Sequence, residues 1–140
     1  MNQQRPSKST EHYTPSWIAE LARNCFRGNI DLDPASAPLA NTIINANKIF
    51  TEIDNGLIQS WNGNIFCNPP GSPSKWFRKA IEEYKNNNLK QLFFVVYSID
   101  RLPTILGVLR KNKLVANVIV PHKRIEYLDS VLLQPQKDPL

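Results

Sequence analysis

A short apolar segment, residues 64–67, ends abruptly at Asn68-Pro69-Pro70, and this junction limits the folds that are open to the chain. Consecutive prolines fix their own φ and lack backbone N–H groups, so a central strand cannot continue through them. We therefore expect a buried strand that opens directly into a stiff polar loop. A similar junction follows residues 29–33, where the chain runs into Pro34.

The spacing of apolar residues predicts helices and strands that alternate along the chain. Helices are predicted over residues 15–25, 39–46, 74–85 and 102–109. Strands are predicted over residues 29–33, 48–51, 64–67, 91–98 and 114–120, with an edge strand over 124–128. Residues 91–98 and 114–120 are nearly all apolar, which is typical of strands buried on both faces. This alternation predicts an α/β fold with a mostly parallel sheet, whose ligands bind beyond the carboxyl ends of the strands.

The length of 140 residues suits one domain. Residues 1–11 are polar and basic, so we expect a disordered N-terminal tail followed by a single domain over residues 12–140. The sequence has neither an apolar run long enough to span a membrane nor a signal-peptide pattern. Cys25 and Cys67 form no CxxC pair, so we expect free thiols, no metal site and a cytoplasmic location.

The formal net charge of +5 favours a polyanionic partner such as DNA, through phosphate contacts and counterion release. A charge that serves solubility alone explains the same excess equally well. The five glycines are scattered and form no GxGxxG pattern, so a dinucleotide or ATP site is not supported.

The Asn68-Pro69-Pro70 loop offers hydrogen-bond acceptors that are fixed in place. The side-chain oxygen of Asn68 and the backbone carbonyl of Pro69 can each accept one N–H group of a planar amine, such as the exocyclic amine of adenine. Two such bonds draw the nitrogen lone pair out of conjugation with the ring and aim it at an electrophile. The alternative is an ordinary turn after a strand, because Asn-Pro is a common turn starter.

Four motifs occur in order along the sequence: Tyr13-Thr14-Pro15, Asp31-Leu32-Asp33-Pro34-Ala35-Ser36, Asp54-Asn55-Gly56-Leu57 and Phe66-Cys67-Asn68-Pro69-Pro70. With these motifs, and from about residue 13 to residue 129, the sequence resembles the Dam-like phage and prophage DNA N-6-adenine methyltransferases. The resemblance implies a Rossmann-like, S-adenosylmethionine-dependent methyltransferase that methylates the N-6 amine of adenine in double-stranded DNA, with Asn68, Pro69 and Pro70 as catalytic residues.

The resemblance implies that the cofactor S-adenosylmethionine contacts the end of the first sheet strand. Asp33 is the first candidate there, and Asp31 is the second because both side chains face the same way on an alternating strand. A helix N-cap or an Asx-turn is the alternative role for Asp33, and a loop acid is the alternative for Asp54. We also expect Thr14 to cap the first helix. The implied cofactor-binding residues are Tyr13, Thr14, Pro15, Asp31, Asp33, Pro34 and Asp54.

The implied substrate is an adenine that leaves the base stack. Many family members have an aromatic residue directly after Asn-Pro-Pro that stacks on this base, whereas this chain has Gly71. Trp76 is the first replacement candidate and Phe77 the second, although aromatic residues at helical spacing usually belong to the core. Lys123 and Arg124 are candidates for phosphate contacts, with a solvated basic surface as the alternative.

The resemblance also implies one more strand after residues 124–127, whereas this sequence ends at Leu140. We therefore expect a minimal or truncated sheet with an exposed edge. Three other functions remain open: methylation of RNA or of glutamine in a protein, a catalytically inactive DNA-binding module, and an accessory protein with a chance Asn-Pro-Pro. The motifs indicate no oligomeric state.

Overall fold

The computed structural model describes residues 13–121 and 125, and in this part of the chain helices alternate with strands. The helices are α1 (Ser16–Phe26), α2 (Pro38–Ile44), α3 (Pro73–Lys85) and α4 (Leu102–Lys111). The strands are β1 (Leu32–Asp33), β2 (Lys48–Ile49), β3 (Gly63–Cys67) and β4 (Leu89–Phe94). Short 3-10 turns lie at Gly56–Ile58 and Ile99–Arg101.

The four strands form one parallel sheet in the order β2-β1-β3-β4. Leu32 of β1 pairs with Lys48 on one side and with Ile65 on the other. The longest ladder joins β3 to β4 and ends at the pair Cys67 and Phe94. The predicted Rossmann-like α/β class is therefore confirmed, and all four strands have their carboxyl ends at the same edge of the sheet.

Helices cover both faces of the sheet, because alternate side chains of β3 point to opposite sides. Phe66 packs with α1 and α2 in one apolar cluster, where it also stacks on Phe93 with ring centroids 5.8 Å apart. Ile65 and Cys67 face the other side, in a cluster with Trp76 of α3. The central strand is thus sealed between two layers of helix.

The prediction of a buried strand over residues 114–120 is wrong. The segment has no regular secondary structure, and the exposed fractions of Val115 and Val120 are 97% and 73%. Within the described residues no strand pairs with the outer edge of β4. An apolar β-branched composition gives strand propensity, but a strand forms only where a partner accepts its hydrogen bonds.

The strand predicted over residues 91–98 forms as β4, which begins two residues earlier and ends four residues earlier, but it is not buried on both faces. Lys90 and Gln91 are exposed and residues 92–94 are only partly buried. The reason is position, because β4 is an edge strand of the described sheet. The predictions for residues 1–11 and 124–128 lie outside the described residues, except that Ile125 is in no strand and packs against the α1 cluster.

A buried carboxylate fixes the loop before β3 to α3. Glu83 accepts hydrogen bonds from the backbone N–H of Trp61 at 2.9 Å and from Asn88 at 2.8 Å, and Lys79 forms an ion pair with it at 3.1 Å. Burial alone raises the pKa of Glu83, but the bonds from Asn88, Lys79 and Trp61 lower it overall. The carboxylate therefore stays charged and joins three separate parts of the chain.

We expect Glu83→Ala to lower the free energy of unfolding by about 3 kcal/mol, because it leaves the Trp61 N–H and the partly buried Lys79 ammonium without an acceptor. Urea denaturation measures this change. Glu82→Ala is the matched control, since Glu82 lies on the exposed side of the same helix. Equal losses in the two variants would contradict the assigned role.

Candidate active site

The two proline junctions meet at the carboxyl edge of the sheet. Because Leu32 pairs with Ile65, the residues that follow β1 and β3 leave the sheet side by side. Asp33 and Cys67 are the last residues of these two adjacent strands, and burial first and the charge of Asp33 second raise the pKa of the Cys67 thiol. This edge therefore gathers Asp33 and Asn68 into one region.

A hydrogen bond joins the Asn68 loop to the start of α1. The Nδ2 group of Asn68 donates to the Thr14 hydroxyl oxygen at 2.9 Å, across 54 positions of sequence. Thr14 is buried, and within the described part of the chain nothing donates to the Asn68 Oδ1. The bond fixes the amide and leaves its carbonyl oxygen available to accept a hydrogen bond.

The expected capping role of Thr14 is wrong. The N-cap of α1 is Pro15, and no side-chain hydrogen bond caps the helix. The Thr14 hydroxyl instead accepts from Asn68. Pro15 is also buried, and Tyr13 is partly buried, so this motif lies against the protein where the chain enters α1.

The loop after β3 turns outward within four residues. Pro69 is buried, whereas Pro70 and Gly71 are exposed. Gly71 has a φ of +65°, in the left-handed region that glycine adopts without steric cost, and the space beside its α-carbon is open. The chain then enters α3 at Pro73, whose fixed φ suits a first helical turn.

Asp33 is a buried carboxyl at the end of β1, with only 4% of its surface exposed. Its Oδ1 accepts the N–H of Ala35 at 3.1 Å, the bond of an Asx-turn. Burial raises the pKa of Asp33 to about 7, although hydrogen bonds from Ala35 and Ser36 oppose the rise. None of the ion pairs among the described residues involves Asp33, so a cationic or hydrogen-bonding ligand would favour its charged form.

Asp31 lies at the other edge of the sheet from Asn68, and Asp54 lies in the loop after β2. Asp31 accepts the backbone N–H of Asn64 at 2.7 Å, near the amino end of β3 and therefore at the opposite edge of the sheet. Asp54 is exposed, and its Oδ2 accepts the N–H of Thr51 at 2.8 Å and the hydroxyl of Thr51 at 3.1 Å. The backbone bond and then the hydroxyl bond from Thr51 lower the pKa of Asp54, which fits the alternative role of a loop acid.

Gly56, in the 3-10 turn between β2 and β3, packs against Pro34 directly after β1, a role that sequence reasoning missed. A Cβ at this residue would collide with the carbonyl oxygen of Pro34 and crowd the ring of Trp76. Trp61 fixes the 3-10 turn that contains Gly56, because its indole N–H donates to the Gly56 carbonyl at 2.8 Å. The glycine of the Asp-Asn-Gly motif can be read from the sequence, but its close contact with Pro34 cannot.

Both aromatic candidates on α3 lie in the core. The exposed fractions of Trp76 and Phe77 are 7% and 5%. Trp76 stacks on Trp61 with ring centroids 6.1 Å apart, and Phe77 meets Phe94 edge to face at 5.1 Å. Their burial favours the core alternative. Lys123 and Arg124 lie outside the described residues.

Comparison with known protein families identifies the family to which the chain belongs. A family model described as DNA N-6-adenine-methyltransferase (Dam) matches residues 3–101, which is more than half of the chain. The chain belongs to this family. The family resemblance inferred from the four motifs is thereby confirmed. No curated protein and no solved structure gives a significant match.

The matched region of this DNA N-6-adenine-methyltransferase family member includes Thr14, Asp33 and Asn68. Over residues 13–121 and 125, none of the helices is both long enough and apolar enough to cross a bilayer. In the same residues, His, Cys, Asp and Glu side chains form no cluster of three that a metal ion could use.

We expect the ligand-free protein to lose stability as the pH rises, because of Asp33. Its carboxyl ionises at about pH 7 in the folded protein but near its ordinary value of 3.8 in the unfolded chain. Between these values the folded state binds the extra proton, so raising the pH favours unfolding. Asp33→Asn removes this dependence, which amounts to on the order of a few kcal/mol.

Urea denaturation of the wild type and Asp33→Asn at about pH 5 and about pH 8 measures the effect. Asp54→Asn is the control, because the pKa of Asp54 is lowered and this carboxylate stays ionised over that range. A stability difference between wild type and Asp33→Asn that does not change with pH would contradict the prediction.

Proposed function

We propose that this protein transfers a methyl group from S-adenosylmethionine to the exocyclic N-6 amine of adenine in double-stranded DNA. The observation that supports it most is the Asn68 amide at the carboxyl edge of the sheet, which Thr14 holds and whose Oδ1 accepts no hydrogen bond from residues 13–121 or 125. The family assignment supports adenine in DNA as the substrate.

The chemistry of the Asn68-Pro69 pair suits an amine of low nucleophilicity. The adenine amine has two N–H groups, which the Asn68 Oδ1 and the Pro69 carbonyl can accept. These bonds localise the nitrogen lone pair, so that the nitrogen would form the new N–C bond as the bond between that methyl carbon and the sulfonium sulfur of the donor breaks, its electron pair staying on sulfur. Asn68 is neutral and takes no proton, so the amine proton leaves to solvent after transfer. The contribution of the loop is thus electrostatic and positional.

The residues at the end of β1 fit the cofactor. S-adenosylmethionine, when bound, supplies the electrophilic methyl group. The buried carboxyl of Asp33 has no cationic partner among the described residues and can accept the ammonium group or the ribose hydroxyls of the cofactor. Pro34 stiffens the turn beside it, and Tyr13-Thr14-Pro15 approaches from the α1 side. Asp31 lies at the opposite edge of the sheet and Asp54 is exposed in a loop, whereas Asp33 is buried at the end of β1, so the proposal rests on Asp33.

Positive charge supports binding to DNA. The net charge of +5 favours contact with phosphates, and Lys123 and Arg124 stay candidates for it. The exposed loop at Pro70 and Gly71 lies next to Asn68, where a base that has left the duplex would enter.

We expect Asn68→Ala to lower the rate of methyl transfer by about 100-fold or more, because it removes a preorganised acceptor. The assay follows a labelled methyl group from S-adenosylmethionine into unmethylated double-stranded DNA, with hydrolysis to identify labelled adenine. The variant is expected to keep its fold and its affinity for the cofactor, which isothermal titration measures.

Wild-type turnover by Asn68→Ala would refute the catalytic role. Label in RNA or protein instead of DNA would show that DNA is not the substrate. Cofactor binding with no transfer to DNA, RNA or protein would favour an inactive DNA-binding module. Asp33→Asn is the matched variant for the cofactor site, because it removes the charge at nearly constant size and is expected to weaken cofactor binding.

We expect Thr14→Val to lower kcat by about tenfold, because it removes the hydroxyl that orients the Asn68 amide while keeping the size of the side chain. Thr14→Ser keeps the hydroxyl and is expected to retain most of the activity. A structural role alone predicts that activity follows thermal stability in both variants. Equal kcat values for Val and Ser at this position would contradict the positioning role.

A further inference from the structure

We infer that Tyr97 is the aromatic side chain on which the target adenine stacks once it has left the duplex. This inference rests on the proposed function and names a substrate-binding residue for that site. Tyr97 follows β4, and 58% of its surface is exposed.

The loop after β3 contains no aromatic side chain of its own. Gly71 occupies the position after the two prolines, and the space beside its α-carbon is open. The next aromatic residues along the chain, Trp76 and Phe77, are buried against Trp61 and Phe94. A planar base held by Asn68 must therefore find its stacking partner on another element.

The sheet register brings the end of β4 to this loop. Cys67 pairs with Phe94, and the N–H of Val95 donates to the Cys67 carbonyl at 2.9 Å. The chains beyond β3 and β4 thus leave the sheet as neighbours, at about the 4.8 Å spacing of paired strands. Tyr97 lies only two residues past the last of these bonds.

Tyr97 and Asn68 also lie on the same face of the sheet. Phe66 and Phe93 stack on the α1 side, where Val95 is buried in the same cluster. Alternation along an extended chain puts Asn68 on this side, and its bond to Thr14 at the start of α1 agrees with that placement. The same alternation returns Tyr97 to this face, beyond the point where the core ends.

The chemistry of Tyr97 fits a flipped base. Enzymes that act on an extruded base hold it by hydrogen bonds to its polar edge and by stacking on aromatic side chains. Asn68 and Pro69 supply the acceptors for the edge, and the exposed ring of Tyr97 supplies an apolar plane beside them. Stacking uses the ring rather than the hydroxyl group, so phenylalanine is expected to replace it.

Steady-state methylation of unmethylated DNA, with full-length wild type and three variants, tests this inference. Tyr97→Ala is expected to raise the KM for DNA or lower kcat, for a loss in kcat/KM of about tenfold or more. Tyr97→Phe is expected to stay within about twofold of wild type, while Tyr97→Leu, which is apolar but not planar, is expected to resemble alanine. Cofactor affinity and thermal stability are expected to stay unchanged in all three.

Tyr84→Ala is the matched control, because Tyr84 is also about half exposed, on α3. Wild-type kcat/KM in Tyr97→Ala would overturn this inference and leave the proposed function intact. Equal losses in Tyr97→Phe and Tyr97→Ala, or a loss of activity that follows unfolding, would have the same meaning. Wild-type protein that binds DNA and cofactor without transferring methyl would overturn the proposed function, and this inference with it.

Discussion

The complete burial of the last three residues of β3 is the constraint on which the site depends. Ile65, Phe66 and Cys67 have no exposed surface, and they face helices on both sides of the sheet. A shift of one residue in the pairing of this strand would exchange every side chain between the two faces. The core therefore determines where the chain leaves the sheet and, with it, the position of Asn68.

Packing and chemistry oppose each other at Asp33. The core that aligns β1 with β3 also removes water from this carboxyl, which costs stability when the group is charged. Asn68 pays no such cost, because its amide is neutral and Thr14 satisfies the donor. The edge thus combines a neutral amide that is held in place by one bond and a destabilised acid, which is typical of a site organised for a ligand.

The sequence predicted local features well and distant partners poorly. Periodicity gave the helices, and the prolines gave the loop at Asn68, because both signals lie within a few residues of their effect. The bond between Thr14 and Asn68 spans 54 positions and leaves no local signal. The strand expected over residues 114–120 failed for the same reason, since its apolar composition says nothing about whether a neighbour is present to pair with it.

Gly56 shows how a residue outside the reaction can limit change in the chain. Any Cβ there would push on the Pro34 carbonyl, and Pro34 directly follows Asp33. A substitution library would therefore accept glycine alone at this position. Gly107, with open space around it in α4, would tolerate alanine. Two glycines with identical chemistry would thus have opposite evolutionary freedom, and a mutational scan would score Gly56 among the functional residues because of its packing against Pro34.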